Sequence, residues 1–298
     1  MFNGLEPFSL PINSRIFVAK STNYYTIMKS IIASLLLLLF INACTTLNPF
    51  TGEKTLGVNN QDLFPMTFQE YDKFLTEAKV IRDTKEAKTI DKIREKLVAG
   101  AQLWLSKHGH PTYLKDYKWE SKLVEDKSVN AWCMPGGKIV FYTGILPICQ
   151  TEAGIATVMG HEIAHALANH GGQRMKAGTF QQYGAMAIGL ATASKDSTTQ
   201  QTWQQYYGIG TNVGFMLPFS RSHETEADKI GLILMAIAGY QPEQAISFWE
   251  RMDKVSSKEQ SQPEFMSTHP SHNTRINTIK SLIPQAKEEA KKLGIKVL

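Results

Sequence analysis

The order of apolar and polar residues divides this 298-residue chain into one uninterrupted apolar run, a few strand-like stretches and several helical stripes. The run Ile31–Ile41 is apolar except for Ser34 and follows Lys29. It is too short for a comfortable membrane span and fits the core of a signal peptide. Thr45–Pro65 is polar and turn-rich and reads as a tether. Phe68–Ser106 predicts a long helical stretch broken near Asp83-Thr84, with Ile90, Ile93, Leu97 and Leu103 recurring at helical spacing. Tyr117–Val124 predicts a strand, with Trp119 and Leu123 on one face. Asn130–Gly144 predicts two strands joined by a Pro135-Gly136-Gly137 turn, the second carrying the strand formers Ile139 to Tyr142. Val158–Gly171 has helix-compatible flanks, from Ala153 and Ile155 to Leu167 and Ala168, with Gly171-Gly172 as a stop. Beyond it, Thr179–Ala193 reads as a small-residue core or lid helix and Ser194–Gln201 as a polar loop. A helix opens at Ser220–Asp228 and continues through Ile230–Gly239, and two more cover Ser271–Ile283 and Gln285–Leu293. The fold class is α+β, mostly helical with a small sheet.

Composition narrows this little. With 43% hydrophobic and 20% charged residues, the chain can bury one large core or two small ones. The net charge of +5 is modest and there is no dense Lys/Arg block or C-x-x-C pair, so no nucleic-acid partner is expected. Cys133 and Cys149 could pair in an oxidising compartment or stand as two separate buried thiols.

The candidate chemistry lies in His161-Glu162-Ile163-Ala164-His165, an H-E-x-x-H sequence. On a helix the histidines, four apart, meet on one face, where two imidazoles can bind one zinc ion with Glu162 placed to take a proton from its water. A third ligand is needed. His170 is five residues beyond His165 and turns away from that face; Ala168 and Gly171 stand where a longer H-E-x-x-H-x-x-G-x-x-H signature needs glycine and histidine. Glu224 and Asp228 are four apart on one helix face. Glu224 can complete a His, His, Glu set that leaves a fourth position for water, and Asp228 can hydrogen-bond the far nitrogen of a ligand histidine. His223 is a competing ligand. Glu226 points off that face and reads as a surface charge, and His108 and His110 read as loop polarity.

The segment Ile41-Asn42-Ala43-Cys44 resembles the lipobox of bacterial lipoproteins. It implies cleavage before Cys44 and acylation of that cysteine, which would anchor the chain to a membrane. Residues 1–43 are then an upstream extension and signal peptide with Met28 as the expected start, 44–66 a lipidated tether, and 67–298 the functional domain. Thr45, rather than Asp, after the cysteine resembles outer-membrane sorting.

H-E-x-x-H followed by Ser220-Arg221-x-x-Glu224-x-x-Ala227-Asp228 resembles the gluzincin zinc metallopeptidases, the family of HtpX, BepA, LoiP and the CAAX prenyl proteases. The likeness runs from Asn130-Ala131 to His269-Pro270, and the lipoprotein branch similar to LoiP fits best. It implies a zincin-like fold and one catalytic Zn2+ on His161, His165 and Glu224. It also implies Glu162 as general base and Asp228 supporting a ligand histidine, expected to be His161. Asn130 and Ala131 would form a substrate-binding edge. Thr268-His269-Pro270, with Arg275 beyond, is similar to a late family segment in which His269 would stabilise the oxyanion or fill the open zinc position. The expected activity is metalloendopeptidase cleavage of protein or peptide substrates. By resemblance these are misfolded or unassembled envelope proteins, met by a lipid-anchored, periplasm-facing enzyme in protein quality control with possible envelope assembly partners. The alternative is a zinc-stabilised chaperone or assembly factor that does not cut.

Overall fold

The computed structural model describes residues 45–52, 54–56, 60–212, 216–257, 263–269 and 274–296. The chain divides into two units, Met1–Thr46 and Leu47–Leu298; apart from Thr45 and Thr46, the described residues belong to the second. The expected signal peptide, Met28 and Cys44 lie outside the described residues, as does Pro270.

Two short strands, β1 (Thr45–Leu47) and β2 (Lys54–Leu56), precede helix α1 (Asn60–Glu77). The stretch read as a tether is in part core: Phe50 stacks on Trp104 at 4.3 Å, and Leu63 and Phe64 are buried. β3 (Val80–Ile81) and α2 (Lys85–Lys107) follow. The expected break is present, made by the left-handed Asp83 (φ 61°) and by Thr84, whose hydroxyl accepts from Ala87 N at 3.2 Å as an N-cap. Ile90, Ile93 and Leu97 are buried as the spacing predicts, but Leu103 turns outward, and Trp104 and Leu105 take its place in the core.

β4 (Glu120–Val124), β5 (Ala131–Met134) and β6 (Lys138–Tyr142) complete a four-stranded sheet in the order β3-β4-β6-β5. β4 and β6 are parallel; β3 and β5 pair antiparallel on either side. Alternation divides the sheet's side chains. Leu123, Ile139 and Phe141 enter the main core, while Val124 and Val140 meet Tyr71 of α1 on the opposite face. β5 is left as an edge.

A 3-10 turn (Thr143–Ile145) and the one-turn α3 (Leu146–Cys149) lead to α4 (Glu152–Leu167), capped by Thr151 Oγ1, which accepts from Gly154 N at 3.0 Å. α4 is buried along nearly its whole length, between β5, α2 and two later helices, α7 (Leu217–Ile237) and α8 (Gln244–Ser256). Gly171-Gly172 is not its stop. α4 ends at Ala168–Asn169, where Asn169 is left-handed (φ 54°), and both glycines lie in α5 (His170–Thr192). The hydroxyls of Tyr113 and Tyr117 donate to the last carbonyls of α4, on Leu167 and Ala166, at 2.6 and 3.1 Å. The predicted loop Ser194–Gln201 is largely α6 (Ser197–Thr211), because Asp196 caps it through Thr199 N at 2.9 Å. A short α9 (Glu264–Thr268) precedes α10 (Arg275–Lys292). α10 is one helix where two were expected: it runs through Pro284, which is exposed, while Ile279, Ile283, Ala286 and Ala290 bury one face. Cys133 and Cys149 are both free thiols. Among the described residues no helix is long and apolar enough to cross a membrane.

Candidate metal centre

The crossing of α4 and α7 creates the site. Gly160 and Gly231 face each other there: a Cβ on Gly231 would lie 3.0 Å from Gly160 C and His161 N. This close approach brings His161 and His165, one turn apart on α4, against Glu224 and Asp228, one turn apart on α7.

Four donor groups converge and are buried: His161, His165, Glu224 and His269, the last directly after α9. His161 Nε2 lies 3.0 Å from His165 Nε2, 3.2 Å from Glu224 Oε2 and 3.2 Å from His269 Nδ1. Glu224 lies 3.4 Å from His165 Nε2 and 3.2 Å from His269 Nδ1. Ligands about 2.0–2.1 Å from a tetrahedral zinc stand about 3.3 Å from one another, so this spacing suits such an ion.

Proton positions support the same fit. His161 Nδ1 sits 3.0 Å from Asp228 Oδ1, an acceptor, so the neutral ring carries its proton on Nδ1 and offers Nε2 to a metal. His170 Nε2 donates to Glu226 Oε2 at 2.8 Å, leaving its Nδ1 to accept from His165 Nδ1 at 2.8 Å. His165 Nε2 is thereby also a lone pair. His269 Nε2 lies 3.3 Å from Glu162 Oε1, and its Nδ1 points inward among the donors. Three imidazole nitrogens and a carboxylate thus meet at one point, where a cation can take the place of the protons they share without it.

The surrounding charges are ordered. Burial pushes the Glu224 carboxyl up, but its close contacts with His161, His165 and His269 outweigh it and hold the group well below the carboxylate range. Burial likewise opposes ionisation of Asp228, and Arg275 overcomes it. The guanidinium gives Asp228 a two-pronged contact, Nε to Oδ2 at 2.9 Å and Nη2 to Oδ1 at 2.8 Å, and stacks 3.7 Å above the Trp249 ring. Glu162 differs: burial raises its carboxyl despite the nearby histidines.

A cleft of about 240 Å³ joins this centre to the sheet edge, with Glu162, His165 and His269 at one side and Asn130, Ala131 and Cys133 at the other. Tyr142 N donates to Asn130 O at 3.2 Å. In an antiparallel ladder this turns the main chain of Asn130 and Trp132 toward β6 and that of Ala131 and Cys133 toward the open edge. Asn130 Oδ1 accepts from Ala131 N at 2.9 Å.

Each sequence candidate therefore has a definite place. His161, Glu162, His165, Glu224, Asp228 and His269 come together, and Asn130 and Ala131 line the cleft. His223 stacks on His170 at 4.0 Å and is not in the donor group. His108 stacks on Trp104 at 3.7 Å. Glu226 is no surface charge: its side chain is 9% exposed, bound to His170 and accepting from Asn48 and from Thr51 Oγ1 at 2.9 Å. No spacing rule links Glu226 to His170, 56 residues away. Arg174, another residue that sequence reasoning passed over, also lines the cleft.

Comparison with known proteins adds a family. Peptidase family M48 matches residues 96–283. The mitochondrial metalloendopeptidase OMA1 of Schizosaccharomyces pombe is 40% identical over 173 residues, 58% of this chain and 49% of that protein. Human OMA1 is 32% identical over 186 residues, 58% of this chain and 34% of that protein. The beta-barrel assembly-enhancing protease of Escherichia coli is 26% identical over 179 residues, 56% of this chain and 36% of that protein. The matched region spans about half or less of the length of these relatives.

Proposed function

This chain belongs to peptidase family M48, and on that premise we propose that it is a zinc-dependent metalloendopeptidase, a hydrolase that cuts polypeptides held extended along β5. The observation that carries the proposal is the convergence of three imidazole nitrogens and the Glu224 carboxylate beside a buried Glu162, all in one cleft with an open strand edge.

A zinc ion held by His161, His165 and Glu224 would supply Lewis acidity to the scissile carbonyl and to the attacking water. The open edge of β5 offers the Ala131 carbonyl and the main-chain groups of Cys133 to an extended substrate, which sets the scissile bond in the cleft. Glu162 accepts the proton of the attacking water and returns one to the leaving amine; its raised pKa favours holding that proton between the two transfers. Asp228, clamped by Arg275, keeps His161 in the tautomer that presents Nε2. His269 Nδ1 stands among the donors, which supports its role as a fourth group closing the resting site. Turned away, its imidazole would be free to stabilise the oxyanion.

The finer reading is a lipoprotein of the bacterial envelope, anchored through Cys44, periplasm-facing at the outer membrane and acting on misfolded or unassembled envelope proteins. Its supports are the Ile41–Cys44 sequence and the likeness to the Escherichia coli relative, named for enhancing β-barrel assembly. The OMA1 relatives are mitochondrial by name. Incorporation of labelled palmitate, lost in Cys44→Ala, tests the anchor.

The activity is tested on the full zinc-loaded chain, wild type beside Glu162→Gln, with unfolded casein. Removing a general base lowers the rate about 10²–10⁴-fold, and zinc content should stay the same. Equal cutting by the variant, or full activity after chelation, overturns the mechanism. Casein binding without cutting by either protein would favour the chaperone alternative.

A further inference from the structure

The hairpin of α5 and α6 is built inside out. Its two helices meet through polar and small groups. Gln181 Nε2 donates to Thr211 Oγ1 at 2.8 Å and to Asn212 Oδ1 at 3.0 Å, and Gln204 Nε2 donates to Ala185 O at 2.9 Å. Tyr207 Oη donates to Gln181 O at 3.3 Å, in space that Gly184 leaves by lacking a side chain.

The apolar residues point the other way. Of the eleven large hydrophobic residues exposed among the described residues, eight lie on this hairpin. Phe180, Tyr183, Met186 and Leu190 form a stripe on α5, and Trp203, Tyr206 and Ile209 form one on α6; Leu190 is 79% exposed. From Ala177 to Asn212 the only charged residues are Lys195 and Asp196, both at the turn.

In water a helix pair buries its apolar stripes and exposes its amides. The reverse arrangement suits an apolar medium, where helices associate through small residues and interhelical hydrogen bonds. We propose that the α5–α6 hairpin is a membrane-contacting element that seats in the interfacial region of a lipid bilayer. Two features favour lipid over a protein partner. Tyr183, Trp203 and Tyr206 are of the types enriched at membrane–water interfaces. The lipid anchor proposed at Cys44, on which this feature rests, would already hold the chain at a bilayer surface. The hairpin helices do not meet the requirements of a span, so the hairpin lies in the surface layer. Because Gly171 and Arg174 at the start of α5 line the catalytic cleft, the cleft would open beside the bilayer.

The test reads the depth of Trp203, which no anchor elsewhere in the chain can imitate. The full chain is mixed with phosphatidylcholine vesicles with and without brominated acyl chains, and emission of Trp203→Phe is subtracted from that of the wild type. A blue shift and bromine quenching of the Trp203 component are expected. The double variant Phe180→Lys/Leu190→Lys, checked for unchanged zinc content and melting, should reduce that quenching about tenfold or more. An unshifted, unquenched Trp203 component overturns the proposal, whether or not the chain is bound to vesicles. A blue shift that needs no lipid and rises with protein concentration, with a dimer in sedimentation, also overturns it and assigns the face to a second copy.

Discussion

Replacing Glu226 with glutamine should damage the metal site without touching a ligand. The wild-type carboxylate is acceptor-only and holds the His170 proton on Nε2 at 2.8 Å, so His170 Nδ1 accepts from His165 and the lone pair of His165 Nε2 faces the other donors. Glutamine presents one oxygen and one amide nitrogen. Whichever way it turns, either His170 or the Asn48 and Thr51 donors face an NH2 group. The cheapest relief is for His170 to move its proton to Nδ1, which forces the His165 proton onto Nε2, pointing at the metal position. A charge-assisted hydrogen bond is worth about 1.5–3 kcal/mol, and at about 1.4 kcal/mol per tenfold the loss corresponds to about 10–100-fold in zinc affinity, as for other groups that orient metal-binding histidines. Competition titration against a chromogenic chelator measures this directly. Glu226→Asp, which keeps the charge, should lose less. Zinc affinity within about twofold of wild type in Glu226→Gln would refute the relay.

Gly231→Ala places a methyl group against the backbone of Gly160 and His161. Overpacking of about 1–3 kcal/mol opposes about 1 kcal/mol gained in helix propensity. A net loss in thermal stability together with weaker zinc binding is expected, and an unchanged or raised melting temperature would contradict the close crossing. In the metal-free protein burial lowers the His161 pKa, but Asp228 and Glu224 outweigh it and raise it from 6.5 to about 9. Its proton therefore contributes stability that is full below pH 6.5 and is lost as pH rises through about 9. At pH 7 zinc uptake should expel that proton; calorimetry in buffers of different ionisation enthalpy detects it, and heats independent of buffer would exclude it. Arg275→Lys keeps the charge but loses the fork on Asp228 and the stacking on Trp249. A destabilisation of about 2–4 kcal/mol is expected by denaturant titration, and a loss under about 0.5 kcal/mol would show the fork to be dispensable.

Local rules read much of this chain correctly because they act over one turn or one strand. The four-residue spacings His161–His165 and Glu224–Asp228 determined which side chains share a helix face, and the stretch around Pro135-Gly136-Gly137 determined a hairpin. Where a longer-range term competed, the reading failed. Burial on α7 kept α10 continuous through Pro284, and the Asp196 cap made a helix of a polar stretch. The family likeness supplied roles for His269 and Asn130 that spacing alone did not give.

Only the tertiary structure decided what lies across the crossing of α4 and α7. A sequence shows that Glu226 and His170 are ionisable, but their 2.8 Å contact depends on how two helices pack through Gly160 and Gly231. The same holds for the Arg275 fork, for β5 being an edge, and for the outward turn of apolar residues on α5 and α6. Periodicity gives a residue's direction around its own helix axis, whereas a contact, a charge pair or an exposed face is a relation between axes, and packing alone sets it.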